Sequence, residues 1–143
     1  MPNLKEVPSP CHCLNLRRAA QSVTALYEAS LRDSHLSLAQ FSILRYLRRL
    51  GPASVSELAT AMGLDRTTLV RTLKPLEAGG LALDLAAPGS RNRQLGLTAQ
   101  GRERLEQAMA GWQRAQERMA AALAPEDWAR YTGLLQVLQG LKP

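Results

Sequence analysis

Residues 54–97 read SVSELATAMGLDRTTLVRTLKPLEAGGLALDLAAPGSRNRQLGL. Ser54 is followed three residues later by a glutamate, a capping-box pattern that predicts the start of a helix. Asp65 is a favoured N-cap residue and predicts a second helix over residues 66–78. The turn between them contains Gly63, so the two short helices are expected to form a helix-turn-helix.

A basic hairpin follows the second helix. Apolar residues alternate over 81–85 and again over 93–97, and a Pro-Gly-Ser turn in residues 86–92 separates the two runs. This pattern predicts two β-strands joined by a turn. Arg91 and Arg93 lie near the tip, where a guanidinium can enter a narrow minor groove of DNA. A helix-turn-helix followed by a basic hairpin is typical of a winged helix.

The second short helix has two chemically different faces. One face is apolar and is expected to be buried, with Leu69, Leu73 and Leu76. The other face presents hydroxyls and cations, from Thr67, Arg71 and Lys74. Threonine can contact phosphates and thymine methyl groups, and arginine can bridge guanine O6 and N7. A DNA-recognition helix requires this polarity.

Helices flank this segment on both sides. Apolar residues at helical spacing predict a first helix from about Leu14, and Ser37 with Gln40 predicts the start of a second. Thr98 is expected to cap a long helix, and Pro125 to occupy the first turn of a last one. We therefore expect a mainly α fold with a small β-hairpin wing, in which a winged helix-turn-helix lobe is joined to a helical dimerisation region.

The composition favours a polyanionic partner. The chain has 143 residues, a net charge of +6 and a sequence pI of about 10.0, which suit binding to nucleic acid. The sequence contains no apolar run of the length that crosses a bilayer, and the first ten residues lack the apolar core of a secretory signal. We expect a cytoplasmic protein without a membrane partner.

The sequence resembles the MarR family of winged helix-turn-helix transcription regulators. The likeness is carried by LDRTTLVRTL at 64–73, LEAGGL at 76–81 and SRNRQLGLTAQG at 90–101. It implies a homodimeric repressor that binds a pseudo-palindromic operator in double-stranded DNA. It further implies that a small-molecule effector releases the DNA, and the two cysteines of the chain suggest thiol oxidation as the alternative trigger.

The resemblance also divides the chain into regions. We expect a mobile arm over residues 1–13 and a single domain over residues 14–143. Within the domain, residues 14–36 and 102–143 are assigned to dimerisation and residues 37–101 to the winged lobe. The residues expected to bind DNA are Ser54, Asp65, Thr67, Thr68, Arg71, Lys74, Arg91 and Arg93.

Two features depart from the family pattern. The family's wing usually carries an aspartate near the position of Gly89, which helps to set the wing arginine. Without it we expect a looser wing, or compensation by Asp65 or Asp84. Pro75 lies near the end of the recognition helix, where it lacks the amide that would bond to the carbonyl of Arg71, and it predicts a kink or a tightened turn there.

The resemblance implies a pocket for a small aromatic or anionic effector, lined by Tyr27, His35, Tyr46, Arg49 and Trp112. Cys11 and Cys13 offer thiol oxidation as a second switch, because a cysteine at a helix start can be reactive. The alternative is that neither thiol has a sensing role. With His12 they are also zinc-type ligands, but adjacent residues rarely all reach one ion, so no metal site is expected.

Two other classes of function compete with the regulator. An enzyme is not expected, because the sequence offers no Ser-His-Asp set, no phosphate loop and only two histidines, and no cofactor is implied. A winged helix can also serve as a protein–protein interaction module without DNA binding. That module would keep the buried leucines but would not need Thr67, Arg71, Arg91 and Arg93.

Overall fold

The computed structural model describes residues 7–143, which form six helices and a small sheet. The helices are α1 (His12–Leu31), α2 (Leu38–Leu50), α3 (Val55–Met62), α4 (Arg66–Ala78), α5 (Ala99–Ala120) and α6 (Pro125–Gln139). A short 3₁₀ turn (Arg32–Ser34) separates α1 from α2. The strands are β1 (Ala53–Ser54), β2 (Ala82–Asp84) and β3 (Gln94–Leu97). The expected mainly α fold with a hairpin wing is confirmed.

The sheet is antiparallel, with strand order β1-β3-β2. Strands β2 and β3 form the predicted hairpin, in which Asp84 lies opposite Leu95. Strand β1 was not predicted, because two residues are too few to show an alternating pattern. Its Ala53 also lies opposite Leu95, so β1 attaches the hairpin to the start of α3.

Local capping explains where the helices begin. Ser37 and Ser54 each form the complete capping box predicted for them, at the starts of α2 and α3. Thr98 accepts a hydrogen bond from the amide of Gly101 and starts α5. Gly63 ends α3 in the left-handed conformation, with φ of 64°, which glycine adopts without steric cost. Ser54 and Gly63 therefore fix both ends of α3, the first helix of the helix-turn-helix.

A single apolar core holds the winged lobe against α5. The apolar face of α4 is buried as predicted, and it packs with side chains from α2, α3, β3 and α5. The largest fully buried side chains include Phe41, Ile43, Leu44, Leu58, Leu69, Leu73, Leu76, Leu95 and Leu105. Helix α4 is therefore packed on the body of the lobe through Leu69, Leu73 and Leu76.

The first helix begins two residues earlier than the sequence predicted. Helix α1 starts at His12, so Cys13 belongs to the helix rather than to the arm. The side chain of Asn15 bonds to both the amide and the carbonyl of Ser9, which holds the preceding segment against the helix. Residues 1–6 of the predicted arm lie outside the described residues.

Helix α4 continues through Pro75 to Ala78. The Pro75 carbonyl accepts a hydrogen bond from the amide of Gly79, at 2.9 Å, and Leu76 accepts one from Leu81. Helical hydrogen bonding therefore resumes directly after the proline, beyond the turns that carry Thr67 and Arg71.

None of the helices within residues 7–143 is long and apolar enough to traverse a bilayer.

Candidate nucleic-acid interface

The first turn of α4 is fixed by Asp65. Its carboxylate accepts hydrogen bonds from the backbone amide of Thr68, at 2.8 Å, and from the Thr68 hydroxyl, at 2.7 Å. The amide bond and then the hydroxyl bond hold the pKa of Asp65 below its usual value, because both favour the charged carboxylate. Arg66 reaches back to the Ser56 hydroxyl and joins the starts of α3 and α4.

The predicted DNA-binding residues of this region therefore fall into two groups. Ser54, Asp65 and Thr68 use their side chains to cap α3 and α4. Thr67, Arg71 and Lys74 are exposed on one face of α4, and neither cation belongs to an ion pair within residues 7–143. Thr67, Arg71 and Lys74 are therefore free to contact a ligand. The capping residues set the position of the helix that carries them.

The tip of the wing is a turn that centres on Gly89. This residue has φ of 81°, a conformation that costs any other residue energy, and this accounts for a glycine at that position. The amide of Ser90 donates to the carbonyl of Ala87, at 3.0 Å, and closes the turn. Arg91 follows and is exposed, and the described part of the chain offers it no ion pair.

Arg93 has different surroundings from Arg91. Its terminal nitrogen lies 2.5 and 2.6 Å from the two carboxylate oxygens of Glu77, at the end of α4. Its Nε lies 3.2 Å from Asp84 on β2. These two carboxylates, Glu77 foremost, raise the pKa of the guanidinium. The sequence predicted a DNA contact for Arg93, but the structure places its charge against two carboxylates at the base of the wing.

Asp84 is one of the two residues that were expected to compensate for the missing wing aspartate. It accepts bonds from the backbone amides of Ala86 and Gln94 as well as from Arg93. The two amides and then the guanidinium hold the pKa of Asp84 below its usual value. Glu77 was not foreseen, because no local pattern connects it to an arginine 16 residues away.

Three of the five expected effector residues lie together. Tyr46, Arg49 and Trp112 line a cleft of about 340 Å³ between α2, α3 and α5. The Arg45 guanidinium lies 4.5 Å from the centre of a Trp112 ring. The rings of Phe41 and Trp112 stack, with their centroids 6.0 Å apart. Arg45 and Phe41 were not predicted as lining residues, since only the packing of α2 on α5 brings them there.

The other two expected effector residues are elsewhere. Tyr27 lines a second cavity of about 410 Å³, which α1, α2, α5 and α6 form, and Ser42 on α2 lines both cavities. Its hydroxyl bonds to Gln116, and burial raises the pKa of Tyr27. His35 is exposed in a left-handed turn after Ser34 and lines neither cavity. The structure thus places three of the five residues in the cleft, Tyr27 in the second cavity and His35 in neither, and an effector-binding role for them stays a prediction.

The thiols of Cys11 and Cys13 are both free and exposed, at the start of α1. Within residues 7–143 no group of three or more histidine, cysteine, aspartate or glutamate side chains has the arrangement of a metal site.

Comparisons with known proteins point to one family. The MarR family model matches residues 36–82. The repressor NicR of Pseudomonas putida is 35% identical over 78 residues, which are 54% of this chain and 49% of NicR, so the match spans about half of that relative. The regulator MosR of M. tuberculosis, in complex with DNA, is 33% identical with a TM-score of 0.76, over 90% of this chain and 96% of MosR.

A third relative, BpsR of Bordetella bronchiseptica, is 26% identical with a TM-score of 0.80, over 89% of this chain and 97% of BpsR. Its structure concerns the regulation of DNA binding by 6-hydroxynicotinic acid. The two solved structures therefore match this fold over nearly the whole chain.

Proposed function

The chain belongs to the MarR family of transcription regulators, and on that premise we propose that it is a sequence-specific repressor that binds duplex DNA as a homodimer. The relatives described above are regulators rather than enzymes. Repression agrees with the description of NicR as a repressor. We place the protein in the cytoplasm, and its operator is a pseudo-palindrome because a two-fold symmetric dimer meets two half-sites.

One observation carries the proposal: four polar side chains are exposed on the two elements that a winged helix presents to DNA. Thr67, Arg71 and Lys74 share one face of α4, and Arg91 lies beside the wing tip. A recognition helix enters the major groove, where Arg71 can bridge guanine O6 and N7. Arg91 can reach the minor groove, where narrow A-tracts concentrate negative potential. Lys74 and Thr67 suit phosphates.

The last helix supports the dimer. In the described part of the chain, α6 has no buried residue, and its Leu134 and Leu138 are 58% and 45% exposed; Leu141, just past the end of the helix, is 73% exposed. Leu134 and Leu138 lie four residues apart on one face of α6, so they form an apolar stripe. A second copy would cover that stripe, and would hold the two recognition helices at the spacing of the operator half-sites.

Charge reversal at Arg91 tests DNA binding against the protein-interaction alternative. We expect Arg91→Glu to abolish binding to duplex DNA from upstream of the gene, because a carboxylate would enter the field of the phosphates. Arg118→Glu, at an exposed position near the end of α5, makes the same change of charge and should retain most of the binding. Equal binding by both variants would favour a winged helix that contacts proteins.

The cleft between α2, α3 and α5 suits a small aromatic acid. Arg45 and Arg49 supply positive charge for a carboxylate, and Trp112 and Tyr46 supply aromatic surface. We propose that such a ligand favours a dimer in which the recognition helices no longer match the half-site spacing, so that the DNA is released. BpsR, which responds to 6-hydroxynicotinic acid, offers a first compound to test.

The effector experiment uses the fluorescence of Trp112 in a Trp128→Phe background, so that the signal comes from a single tryptophan. Titration with 6-hydroxynicotinate should change that fluorescence, and Arg49→Ala should weaken the apparent affinity. Arg118→Ala is the matched control. If the fluorescence changes equally in all three proteins, the compound binds outside the cleft.

Thiol oxidation is the alternative route of release, supported by the exposure of Cys11 and Cys13. Treatment of the protein–DNA complex with hydrogen peroxide should then release the DNA, and a reductant should restore binding. The Cys11→Ser and Cys13→Ser variants should resist the oxidant. Release that persists in the double variant would remove the thiols from the mechanism.

A further inference from the structure

The two arginines of the wing, Arg91 and Arg93, differ in what they contact. Arg91 is exposed beside the tip, whereas the Arg93 side chain is 31% exposed and lies between the carboxylates of Glu77 and Asp84. Both carboxylate side chains are themselves about one-third exposed, at 29% and 32%. The three charges form a compact group at the base of the wing, which we call the wing clamp.

The wing clamp joins three segments that are separate in the sequence. Glu77 belongs to the last turn of α4, Asp84 ends β2 and Arg93 immediately precedes β3. Asp84 also accepts hydrogen bonds from the amides of Ala86 and Gln94, so its carboxylate holds the two ends of the wing loop together. Any rotation of the wing relative to α4 would separate Arg93 from Glu77.

We propose that Arg93 is a positioning residue that locks the wing to the recognition helix through Glu77 and Asp84, and that Arg91 is the wing arginine that meets DNA. This inference rests on the proposed function, because it assigns separate roles within the same interface. With glycine at position 89 the tip has no carboxylate of its own to orient Arg91. The clamp supplies that orientation from the base of the wing instead.

The sign of one substitution separates this account from simple electrostatics. Glu77→Gln removes a negative charge from the lobe that approaches the phosphates, so attraction alone predicts tighter binding. It would also free Arg93 to reach DNA. If the clamp positions the wing, the same substitution weakens binding. Arg91 is then no longer held in place, and the wing must lose conformational entropy when it binds DNA.

The experiment measures operator affinity against salt concentration for Glu77→Gln, Arg93→Ala and the double variant. We expect each single variant to weaken binding by about fivefold, as suits the loss of a partly exposed ion-pair network. The double variant should weaken it by no more than either single one, because both remove the same clamp. The salt slope should be unchanged, whereas Arg91→Ala should lower it by about one per subunit.

Glu103→Gln is the matched control, since Glu103 is an exposed carboxylate on α5 that enters no ion pair within residues 7–143. It should leave the affinity unchanged. The inference is overturned if Glu77→Gln binds as tightly as the wild type or more tightly, or if Arg93→Ala lowers the salt slope as Arg91→Ala does. Failure of the unaltered protein to bind would count against the proposed function instead.

A second measurement needs no DNA. Amide hydrogen exchange should become about fivefold faster over residues 86–93 in Glu77→Gln, because a released wing opens more often. Exchange in α5 should stay as it is in the wild type. Unchanged exchange in the wing would contradict the clamp even if the variant binds DNA weakly.

Discussion

Gly101, in the first turn of α5, lies directly against the backbone of Leu81, just before β2. A β-carbon built on Gly101 would lie 2.0 Å from the Leu81 carbonyl oxygen, far inside contact distance. The same carbonyl accepts the amide of Thr98, at 3.3 Å. The start of α5 is therefore packed on the wing's first strand so closely that only glycine fits.

We predict that Gly101→Ala destabilises the fold by about 2 kcal/mol or more, because the added methyl group meets fixed backbone rather than a flexible side chain. Urea denaturation followed by circular dichroism measures the change. Gly133→Ala is the control, since a β-carbon there meets nothing within 4 Å. It should leave stability unchanged or raise it, as alanine in a helix interior does. Equal effects at both positions would contradict the close packing.

The cap of the recognition helix makes stability depend on pH. Hydrogen bonds from Thr68 depress the pKa of Asp65 in the folded state, so the carboxylate stabilises the fold above its ordinary value of 3.8. That contribution is lost as the pH falls below 3.8 through the folded-state value. Asp65→Asn keeps a capping oxygen but has no carboxylate to protonate. Its cap should therefore lose no stability as the pH falls.

Thermal melts between pH 2 and pH 7 test this expectation. The advantage of the wild type over Asp65→Asn should be constant above the ordinary aspartate value and should shrink below it. Asp65→Ala removes the cap altogether and should melt at a lower temperature at every pH. If the advantage of the wild type grew towards acid pH, folding would raise the pKa of Asp65 instead of lowering it, and the prediction would be contradicted.

The apolar stripe of α6 is expected to be a contact between two copies. Leu138→Asp would place a charge in a buried interface, so it should raise the dissociation constant of the dimer by at least about tenfold. Light scattering after size-exclusion chromatography measures the mass across a range of protein concentrations. Gln136→Glu, on the opposite face of the same helix, adds a charge as well and should leave the dimer intact. Identical masses for the two variants would remove α6 from the interface.

The elements of this fold could be predicted from the sequence because their signals are local. The capping boxes at Ser37 and Ser54 and the N-cap at Asp65 each involve residues three positions apart, and all three formed as expected. The buried face of α4 follows from helical spacing in the same way. The exposed residues of α4 could be predicted from the buried ones, because residues on the opposite face of a helix must point away from the core.

The parts of the site that the sequence did not reveal depend on contacts between distant residues. Glu77 meets Arg93 only because α4 and the wing are packed together, and no periodicity encodes that meeting. Arg45 reaches Trp112 because α2 crosses α5. His35 and Tyr27 were grouped with the cleft by their chemistry, but the backbone directs each of them elsewhere. Residue type alone therefore identified candidates without deciding which of them share a site.

Sequence-specific DNA binding is the central claim, and fluorescence anisotropy tests it most directly. The purified protein is titrated onto a labelled duplex from just upstream of its own gene and onto a scrambled duplex of equal length, at several salt concentrations. The account predicts much tighter binding to the native duplex and a steep fall in affinity as salt rises. Absence of binding to either duplex at low salt would contradict it.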